Sequence, residues 1–409
     1  MKQILVVGGG AAGMMAALSA AEAGASVTLL EHNEKLGKKI YITGKGRCNL
    51  TNDCGMDDFL AQVARNPRFL YSALSRFGPR DMMALLESSG CPVTVQRGQR
   101  VFPASEKASD VTRALTQRMA RAGVCVRLNT TVQSILCADG RITGVALADG
   151  SHLPAEAVIL ATGGMSYPAT GSTGDGFRLA AEMGHRVFPP RPSLVGLETR
   201  EDWPRALQGL SLRNVGFTLR RGKKTLYAEQ GEMLFTHFGI SGPLALEASC
   251  HLPDAAEGCT GTLDLKPALT REQVDARLRR VLTESSRKAV RNIMPSLLPG
   301  KLAEIFPSLC DVAGDTPCNQ ITGPQRERLA ARLKALEITL RAPRPLAEAI
   351  VTRGGVDVKE IDPATMQSRL VPGLYIAGEL LDVDAHTGGF NLQIAWSTGR
   401  SAGLFAAQI

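Results

Sequence analysis

Apolar runs separated by glycine-rich and polar stretches divide the beginning of the chain into short elements. Ile4–Val7 is a run of aliphatic, partly β-branched residues, which predicts a buried strand. The residues after it are small and rich in alanine up to Gly24, which predicts a closely packed helix, and Val27–Leu30 predicts a second buried strand. This order indicates a strand–helix–strand unit with two parallel strands.

The same pattern predicts further strands along the N-terminal half, at 124–128, 132–137, 141–147, 152–154 and 157–161. Short alternating runs over 214–236, with a turn near Gly222, predict antiparallel strands. Thr270–Gln273 has the form of a capping box, which predicts a charged amphipathic helix that extends to about residue 287. More helical signal follows at 300–306 and 324–336, and the chain contains no internal repeat.

The glycines between the first strand and the first helix have a spacing that points to a ligand. They are Gly8, Gly10 and Gly13. In such a unit the first glycine allows a tight turn, the second lets the backbone approach a pyrophosphate, and the third lets the helix lie close to the strand. The helix N-terminus attracts phosphate, and Glu31, at the end of the second strand, can accept hydrogen bonds from a ribose. Together these features predict a dinucleotide site.

Three later segments favour FAD over NAD as that dinucleotide. The strand at 157–161 continues into Thr162–Gly164 after a β-meander, as in FAD domains of the glutathione-reductase type. The apolar run Leu374–Ile376 leads to Gly378 and Glu379, where such flavoproteins hold the ribityl chain. His386–Gln393 then leads into an apolar helix whose N–H groups could stabilise the negative charge of a reduced flavin.

Composition limits the classes of protein that remain. The 409 residues are enough for two or three domains. Hydrophobic residues make up 44% and charged residues 21%, which excludes wholesale disorder and a collagen-like or coiled-coil rod. Lys and Arg number 47 against 39 Asp and Glu, so the net charge is +8. Because the basic residues are not massed into one tract, we expect a small-molecule substrate and no nucleic-acid partner.

The nine cysteines form no C-x-x-C pair and have no histidine cluster nearby, so we expect no disulfide framework, no metal site and a reducing cytoplasm. Cys48 and Cys54 have five residues between them, where flavin disulfide reductases have four, so Cys48 is predicted to be a packed residue. The uncharged stretch 3–21 is interrupted by glycines, and we interpret it as neither a signal peptide nor a membrane span.

Several longer segments resemble a known family. They are Gly37–Ile40, Thr43–Asn52, Arg100–Pro103, Phe235–Pro243 and Thr387–Gln393. Through them the whole chain resembles the bacterial single-chain FAD-dependent oxidoreductases that include aminoacetone oxidase and a bile-acid-pathway flavoprotein acting on unsaturated 3-oxo-steroids. The resemblance implies a fold and a cofactor more firmly than it implies a reaction.

The implied fold is α/β, with a doubly wound FAD-binding domain of the glutathione-reductase type. An inserted β-barrel-like domain with a small helical subdomain interrupts it. We place the FAD-binding domain at 1–190 and 350–409, the inserted β-rich domain at 191–349, and its helical subdomain at about 265–336. Pro189–Pro192 marks the change of element near the first boundary.

The predicted contacts to a non-covalently bound FAD come from these segments. Around the glycine turn they are Gly8, Gly10, Ala11, Ala12, Gly13 and Glu31. In the loop after the second strand, phosphate or flavin contacts are predicted at Lys38, Lys39, Gly44, Arg47 and Asn49. The remaining predicted contacts are Val132, Ala161, Thr162, Gly163, Gly378, Glu379, Gly389, Asn391 and Leu392.

Four residues are candidates for the chemistry on the substrate. His237 and His386 could donate a proton. Arg100 and Arg353 could bind a carboxylate or an enolate. A purely structural role is the open alternative for each of them, and Tyr167 could stack on the flavin ring.

The resemblance favours a reductase that saturates an activated C=C bond of an unsaturated, steroid-like carbonyl compound. NAD(P)H would be its transient electron donor, because the sequence pattern offers no second dinucleotide fold. An amine oxidase that uses O₂ is one alternative. An RNA-associated or non-catalytic flavoprotein is another, and it would need a basic stripe on the inserted domain. The oligomeric state is left open.

Overall fold

The chain divides into two compact units, and each is held together by contacts among its own residues. The computed structural model describes residues 1–253 and 256–408. Met1–Ser193 and the chain from Pro345 onward form one unit, which we call the split unit, and Leu194–Arg344 form the other, which we call the inserted unit. Among the described residues, no helix combines the length and the apolar character that crossing a membrane requires.

Strands and helices occur in both units. The strands of the split unit are β1 (Gln3–Val7), β2 (Ser26–Leu30), β3 (Thr51–Asn52), β4 (Val93–Gln96), β5 (Arg100–Pro103), β6 (Cys125–Arg127), β7 (Val132–Ala138), β8 (Arg141–Leu147), β9 (His152–Pro154), β10 (Ala157–Leu160), β11 (Val187–Ser193), β18 (Val351–Val356) and β19 (Leu374–Ile376). Its helices are α1 (Ala11–Glu22), α2 (Lys38–Ile42), α3 (Met56–Ala61), α4 (Tyr71–Arg76), α5 (Pro79–Ser88), α6 (Ala108–Arg121), α7 (Asp175–Glu182) and α14 (Phe390–Gln408). The inserted unit has strands β12 (Leu197–Thr199), β13 (Ser211–Arg221), β14 (Lys224–Thr236), β15 (Gly239–Ser241), β16 (Cys259–Asp264) and β17 (Leu336–Pro343). Its helices are α8 (Trp203–Ala206), α9 (Pro243–Ser249), α10 (Arg271–Glu284), α11 (Val290–Ile293), α12 (Gly300–Leu309) and α13 (Gly323–Lys334).

A parallel sheet of five strands forms the centre of the split unit, in the order β19-β10-β1-β2-β6. All residues of β10 are buried, as expected for a strand that is covered on both faces of a parallel sheet. The carboxyl ends of these strands meet at one edge of the sheet. Gly8, Glu31, Thr162 and Gly378 follow the ends of β1, β2, β10 and β19, so the topology brings the predicted dinucleotide contacts to that edge.

Two glycines let the last helix lie directly against the first. A Cβ atom at Gly399 or at Gly403 of α14 would collide with the carbonyl oxygen of Ala12 or Ala16 in α1. All residues of α1 from Ala12 to Ala20 are buried, which explains why its sequence is small and apolar instead of amphipathic.

Smaller sheets surround this core. The predicted meander is confirmed as the antiparallel sheet β7-β8-β9. The sequence did not indicate the sheet β3-β5-β4, which includes only two residues of β3. The antiparallel pair β11 and β18 joins the two sequence pieces of the split unit.

The inserted unit contains a closed barrel with the strand order β12-β15-β14-β13-β16-β17, so the prediction of a barrel-like insertion is confirmed. Its core includes Phe217, Phe235 and Ile338, each at most 1% exposed. The predicted capping box is present at the start of α10, where Thr270 N donates to Gln273 Oε1 (2.9 Å). A second capping box, which we did not predict, begins α13 at Thr322.

Candidate functional site

The three glycines of the first turn have different reasons to be glycine. Gly8 has φ +103°, a left-handed conformation, and a Cβ atom at Gly13 would collide with the Gly8 carbonyl oxygen. Gly10 has φ −81°, which suits any residue, and a Cβ atom there would meet no protein atom within 4 Å. The chain's own packing therefore requires Gly8 and Gly13 but not Gly10. A bound group that approaches the backbone at Gly10 explains that glycine, so the turn fits the predicted pyrophosphate.

The start of α1 offers hydrogen-bond donors at the same place. The first hydrogen bond within the helix runs from Met14 N to Gly10 O (2.9 Å). The N–H groups of Ala11, Ala12 and Gly13 precede that bond, and no side chain caps the helix. Such a helix start attracts a phosphate through its N–H groups and its dipole.

Glu31 links the end of β2 to the glycine turn. The residue is 6% exposed, and its carboxylate accepts hydrogen bonds from Gly9 N (2.6 Å), Asn33 N (2.8 Å) and Asn33 Nδ2 (2.7 Å). These donors fix the orientation of the carboxylate next to the glycines. The position is the one expected for an acid that binds a ribose hydroxyl.

A partly buried ion pair joins two predicted cofactor contacts. Lys39 Nζ lies 2.7 Å from Glu379 Oε2 and also donates to Ser166 Oγ (2.6 Å). Glu379 Oε1 accepts from Thr352 N (2.7 Å). A Cβ atom at Gly164 would collide with Thr352 Oγ1, so this glycine makes room for the network. Lys39 is therefore neutralised by a partner from the chain itself.

The residues after β10 include a buried hydroxyl without a partner. Thr162 Oγ1 makes no hydrogen bond to any residue that the structure describes. Ala161 is buried, and Gly163 has φ +75°. Leaving a buried hydroxyl unpaired costs about 1–3 kcal/mol, so a hydrogen bond to a bound group would offset that cost.

The Thr43–Asn52 segment is attached to the loop that leads into α14. With its amide oriented to satisfy both neighbours, Asn49 accepts from Gly389 N (3.1 Å). Asn52 Nδ2 donates to Gly388 O (3.2 Å), and a Cβ atom at Gly389 would collide with the Thr51 carbonyl oxygen. Two of the segments that carried the resemblance therefore contact each other.

His386 lies in that loop and is held from two sides. Its backbone N donates to Gln62 O (2.9 Å), and its Nδ1 lies 3.2 Å from Gln62 Oε1. Asn391, the second residue of α14, donates from Nδ2 to Ala385 O (2.7 Å) and to His386 O (3.3 Å). The predicted contact Asn391 thus fixes the backbone in front of its own helix.

Two carboxylates of the same loop are almost fully buried. Arg65 Nε donates to both oxygens of Asp382 at 2.6 Å. Asp384 Oδ2 accepts from Ser193 Oγ (2.7 Å), whereas its Oδ1 has no hydrogen-bond partner among the described residues. Burial raises the pKa of Asp384, and the bond from Ser193 and the charge of Arg353 oppose that rise.

Some predicted cofactor contacts are engaged with the protein. Lys38 Nζ donates to Asn33 Oδ1 (3.0 Å) and pairs with Glu34. Arg47 pairs with Glu106 (3.1 Å) and lies over the ring of Phe102. These contacts direct both cations to protein acceptors. Val132 is buried at the start of β7, Leu392 is partly buried in α14, and Gly44 and Gly378 have positive φ angles.

The four candidates for substrate chemistry are distributed over both units. His386 belongs to the split unit, as do Arg100, which is exposed on β5, and Arg353, which is half-buried on β18. His237 is exposed in the turn between β14 and β15 and belongs to the inserted unit. Tyr167 has φ +52° in the loop after β10.

Sequence reasoning missed several residues of this region, namely Gln62, Arg65, Ser166, Thr352, Asp382 and Asp384. Asp382 and Asp384 were a usable signal, because acids four and two positions before a histidine suggest a polar cluster. Gln62 carried no signal, since it follows a short helix that the sequence did not predict.

The order of the parallel sheet and the glycine site define a Rossmann-like FAD-binding fold, and comparison with a solved structure supports that fold. The 3-ketosteroid-delta4-(5alpha)-dehydrogenase from Rhodococcus jostii RHA1 has a TM-score of 0.53 to this chain at 15% identity. The match covers 99% of this chain and 97% of that one, which shows a common fold.

The chain belongs to the family described as the HI0933-like protein Rossmann domain, whose model matches residues 2–405. It is 34% identical over 414 residues to the 3-dehydro-bile acid delta(4,6)-reductase of Clostridium scindens, with 100% of both chains covered. It is 32% identical over 405 residues to the ribosomal RNA dihydrouridine synthase of Haemophilus influenzae, with 98% of this chain and 97% of that protein covered. The resemblance noted in the sequence is confirmed, and the chain is a flavin-dependent oxidoreductase.

Proposed function

We propose that the protein binds FAD without a covalent link and reduces a carbon–carbon double bond that is conjugated to a carbonyl group, with NAD(P)H as the reductant. The observation that carries this proposal is that two full-length relatives act on the same type of bond in their substrates. One is named a delta(4,6)-reductase of a 3-dehydro-bile acid, and the other makes dihydrouridine in ribosomal RNA. Dihydrouridine is uridine whose ring C=C bond, conjugated to a carbonyl, has been saturated.

The reaction adds one hydride and one proton across the double bond and oxidises one NAD(P)H to NAD(P)⁺. Bound FAD supplies hydride transfer between the nicotinamide and the substrate. In this proposal Gly10, Glu31 and the start of α1 hold the diphosphate and a ribose, and Glu379 holds the ribityl chain. The start of α14 favours negative charge at the flavin. His386 donates the proton to the substrate, because it lies in the loop that leads into that helix.

A small, steroid-like unsaturated carbonyl compound is the first substrate candidate. It follows from the Clostridium scindens relative, which covers the whole chain. The protein would reduce the bond next to the carbonyl because that carbonyl stabilises the charge left after hydride addition.

A uridine in ribosomal RNA is the second candidate, and a basic hairpin favours it. The turn between β13 and β14 exposes Arg220, Arg221, Lys223 and Lys224. Cations in this arrangement suit the phosphates of RNA. This candidate differs from our expectation of no nucleic-acid partner, which was based on the mild overall charge.

Anaerobic flavin reduction tests the reaction class. Purified yellow protein is mixed with NADH or with NADPH, and the blue absorption band of the flavin is followed. Rapid bleaching with either donor, followed by reoxidation with an unsaturated carbonyl compound, is expected. Absence of bleaching with both donors would refute the proposal, and bleaching by an amine with rapid reoxidation in air would identify an amine oxidase instead.

A second assay with the NAD(P)H-reduced protein distinguishes the two substrate candidates. It is mixed with a 3-oxo-4,6-diene steroid or with unmodified ribosomal RNA, and product is measured by mass spectrometry. If RNA is the substrate, changing the four hairpin cations to Ser should weaken RNA binding and flatten its salt dependence. A variant that changes the exposed Arg279 and Arg280 of α10 to Ser is the charge control. Steroid turnover that is unchanged in both variants would assign the small molecule.

A further inference from the structure

We propose that Gln62 is a positioning residue for proton donation by His386, because it determines which ring nitrogen gains and loses the proton. This inference rests on the proposed function, which gives His386 that role. The two residues are 324 positions apart in the sequence, and only the fold brings them together.

Gln62 contacts His386 through both its backbone and its side chain. The Gln62 carbonyl oxygen accepts from His386 N (2.9 Å), and Gln62 Oε1 lies 3.2 Å from His386 Nδ1. A β-bridge between Val63 and Ala385 continues this pairing by one residue. The imidazole is therefore held in one direction relative to the backbone that carries it.

The side-chain contact fixes the tautomer of the ring. An amide oxygen only accepts hydrogen bonds, so Nδ1 must carry a proton in both the neutral and the charged imidazole. The proton that is gained and lost is then the one on Nε2. The intrinsic preference of a neutral histidine ring is the opposite tautomer, with the proton on Nε2, so loss of this acceptor removes the bias towards Nδ1.

The backbone around His386 gives the ring little freedom to compensate. Asn391 bonds to the carbonyl oxygens of Ala385 and His386, and Asp384 O accepts from Ala64 N (2.9 Å). The charged groups that act on the neighbouring Asp384 are Asp382, Arg65 and Arg353, and Arg65 is paired with Asp382. Gln62, which is neutral, supplies the contact to Nδ1 and leaves the balance of these charges unaltered.

The tautomer can be measured without turnover. Protein with bound flavin is labelled with ¹⁵N-histidine, and the His386→Asn variant identifies the His386 signals among the six histidines. At a pH where the ring is neutral, we expect the proton on Nδ1 in the unaltered protein and in Gln62→Glu. We expect it on Nε2 in Gln62→Met, which has nearly the same shape but no acceptor. A proton on Nε2 in the unaltered protein would overturn the proposal whatever the reaction is.

In a second, kinetic test, the NAD(P)H-reduced protein is reoxidised by an unsaturated carbonyl compound. For Gln62→Met we expect kcat to fall on the order of 10- to 100-fold at a nearly constant KM, as for loss of an oriented general acid. In Gln62→Glu, kcat should stay close to that of the unaltered protein, because the carboxylate also accepts a hydrogen bond from Nδ1.

Two controls separate this role from a structural one. Gln117→Met, which changes an exposed residue of α6, should leave both the tautomer and the rates unchanged. Flavin content and urea unfolding show whether each variant is folded. A Gln62→Met protein that is folded, has the switched tautomer and retains full kcat would refute the positioning role while the reductase activity stands. If the unaltered protein reduces no unsaturated carbonyl compound, the proposed function fails and takes this role with it.

Discussion

Replacing Gly10 by alanine tests whether a ligand explains this glycine. The φ and ψ angles of −81° and −167° suit alanine, and its Cβ atom would meet no protein atom within 4 Å. We therefore expect Gly10→Ala to leave the folded protein intact. It should even gain about 0.4–1 kcal/mol, because alanine restricts the unfolded chain more than glycine does.

Flavin affinity should fall in the same variant. The added methyl group would occupy the space that the diphosphate requires, and overpacking of this kind costs about 1–3 kcal/mol. Since 1.4 kcal/mol corresponds to a factor of ten, flavin binding should weaken by roughly 5- to 150-fold.

Gly13→Ala is the matched control for Gly10→Ala. Its Cβ atom would collide with the Gly8 carbonyl oxygen, so the turn itself must move and the protein without flavin should lose stability. Urea unfolding of the flavin-free proteins and titration with FAD measure the two effects separately. Unchanged flavin affinity in a folded Gly10→Ala protein would refute the placement of the diphosphate at this turn.

Three other predictions follow from buried groups. Burial lowers the pKa of His185, which contacts Glu360, so the unfolded chain binds more protons than the folded one as the pH falls below about 6.5. The urea midpoint should therefore drop over that range, and His185→Gln should make the midpoint depend less on pH. A thiol reagent should modify the exposed Cys125 in the folded protein but Cys48 only after unfolding, because burial raises the pKa of Cys48 to about 12. Labelling of Cys48 in the folded protein, identified by peptide mass, would contradict this. Gly403→Val should displace α14 from α1 and destabilise the protein by about 2–4 kcal/mol, and an unchanged thermal unfolding temperature would show that the helices are not so tightly packed.

Elements with a strong local pattern could be predicted from the sequence. The strand β1 contains a continuous aliphatic run, β2 is mostly aliphatic, the meander has Asp-Gly turns, and α10 begins with a capping box. The helices α3 to α6 and the sheet β3-β5-β4 were not predicted. β3 has only two residues and pairs with a strand about fifty positions away, so no periodicity reveals it.

In the candidate site, too, features that depend on local spacing could be predicted, whereas contacts between distant residues could not. The glycine turn and Glu31 could be predicted because their spacing has a mechanical reason within one strand–helix–strand unit. The pair of Lys39 with Glu379 joins residues that are 340 positions apart, and sequence alone could name each residue but not their contact. Arg47 was predicted as a phosphate or flavin contact because it is a cation in a glycine-rich loop. Its pairing with Glu106 depends on tertiary packing that this local rule does not include.

Contacts between the two sequence pieces of the split unit build the region around the start of α14. Thr51 Oγ1 donates to Gln393 Oε1 (2.7 Å), and Trp396 Nε1 donates to the Leu50 carbonyl oxygen (3.0 Å), both within the buried core. The bonds from Lys39 to Glu379 and from His386 to Gln62 also connect residues before the inserted unit with residues after it. The glycine turn alone can explain where a diphosphate binds, since it lies within the first piece. The proposed places of the flavin ring and of the proton donor His386, in contrast, form only after the C-terminal piece has packed onto the N-terminal one. The flavin content of the purified protein should therefore depend on the packing of both sequence pieces of the split unit, which a glycine motif by itself does not ensure.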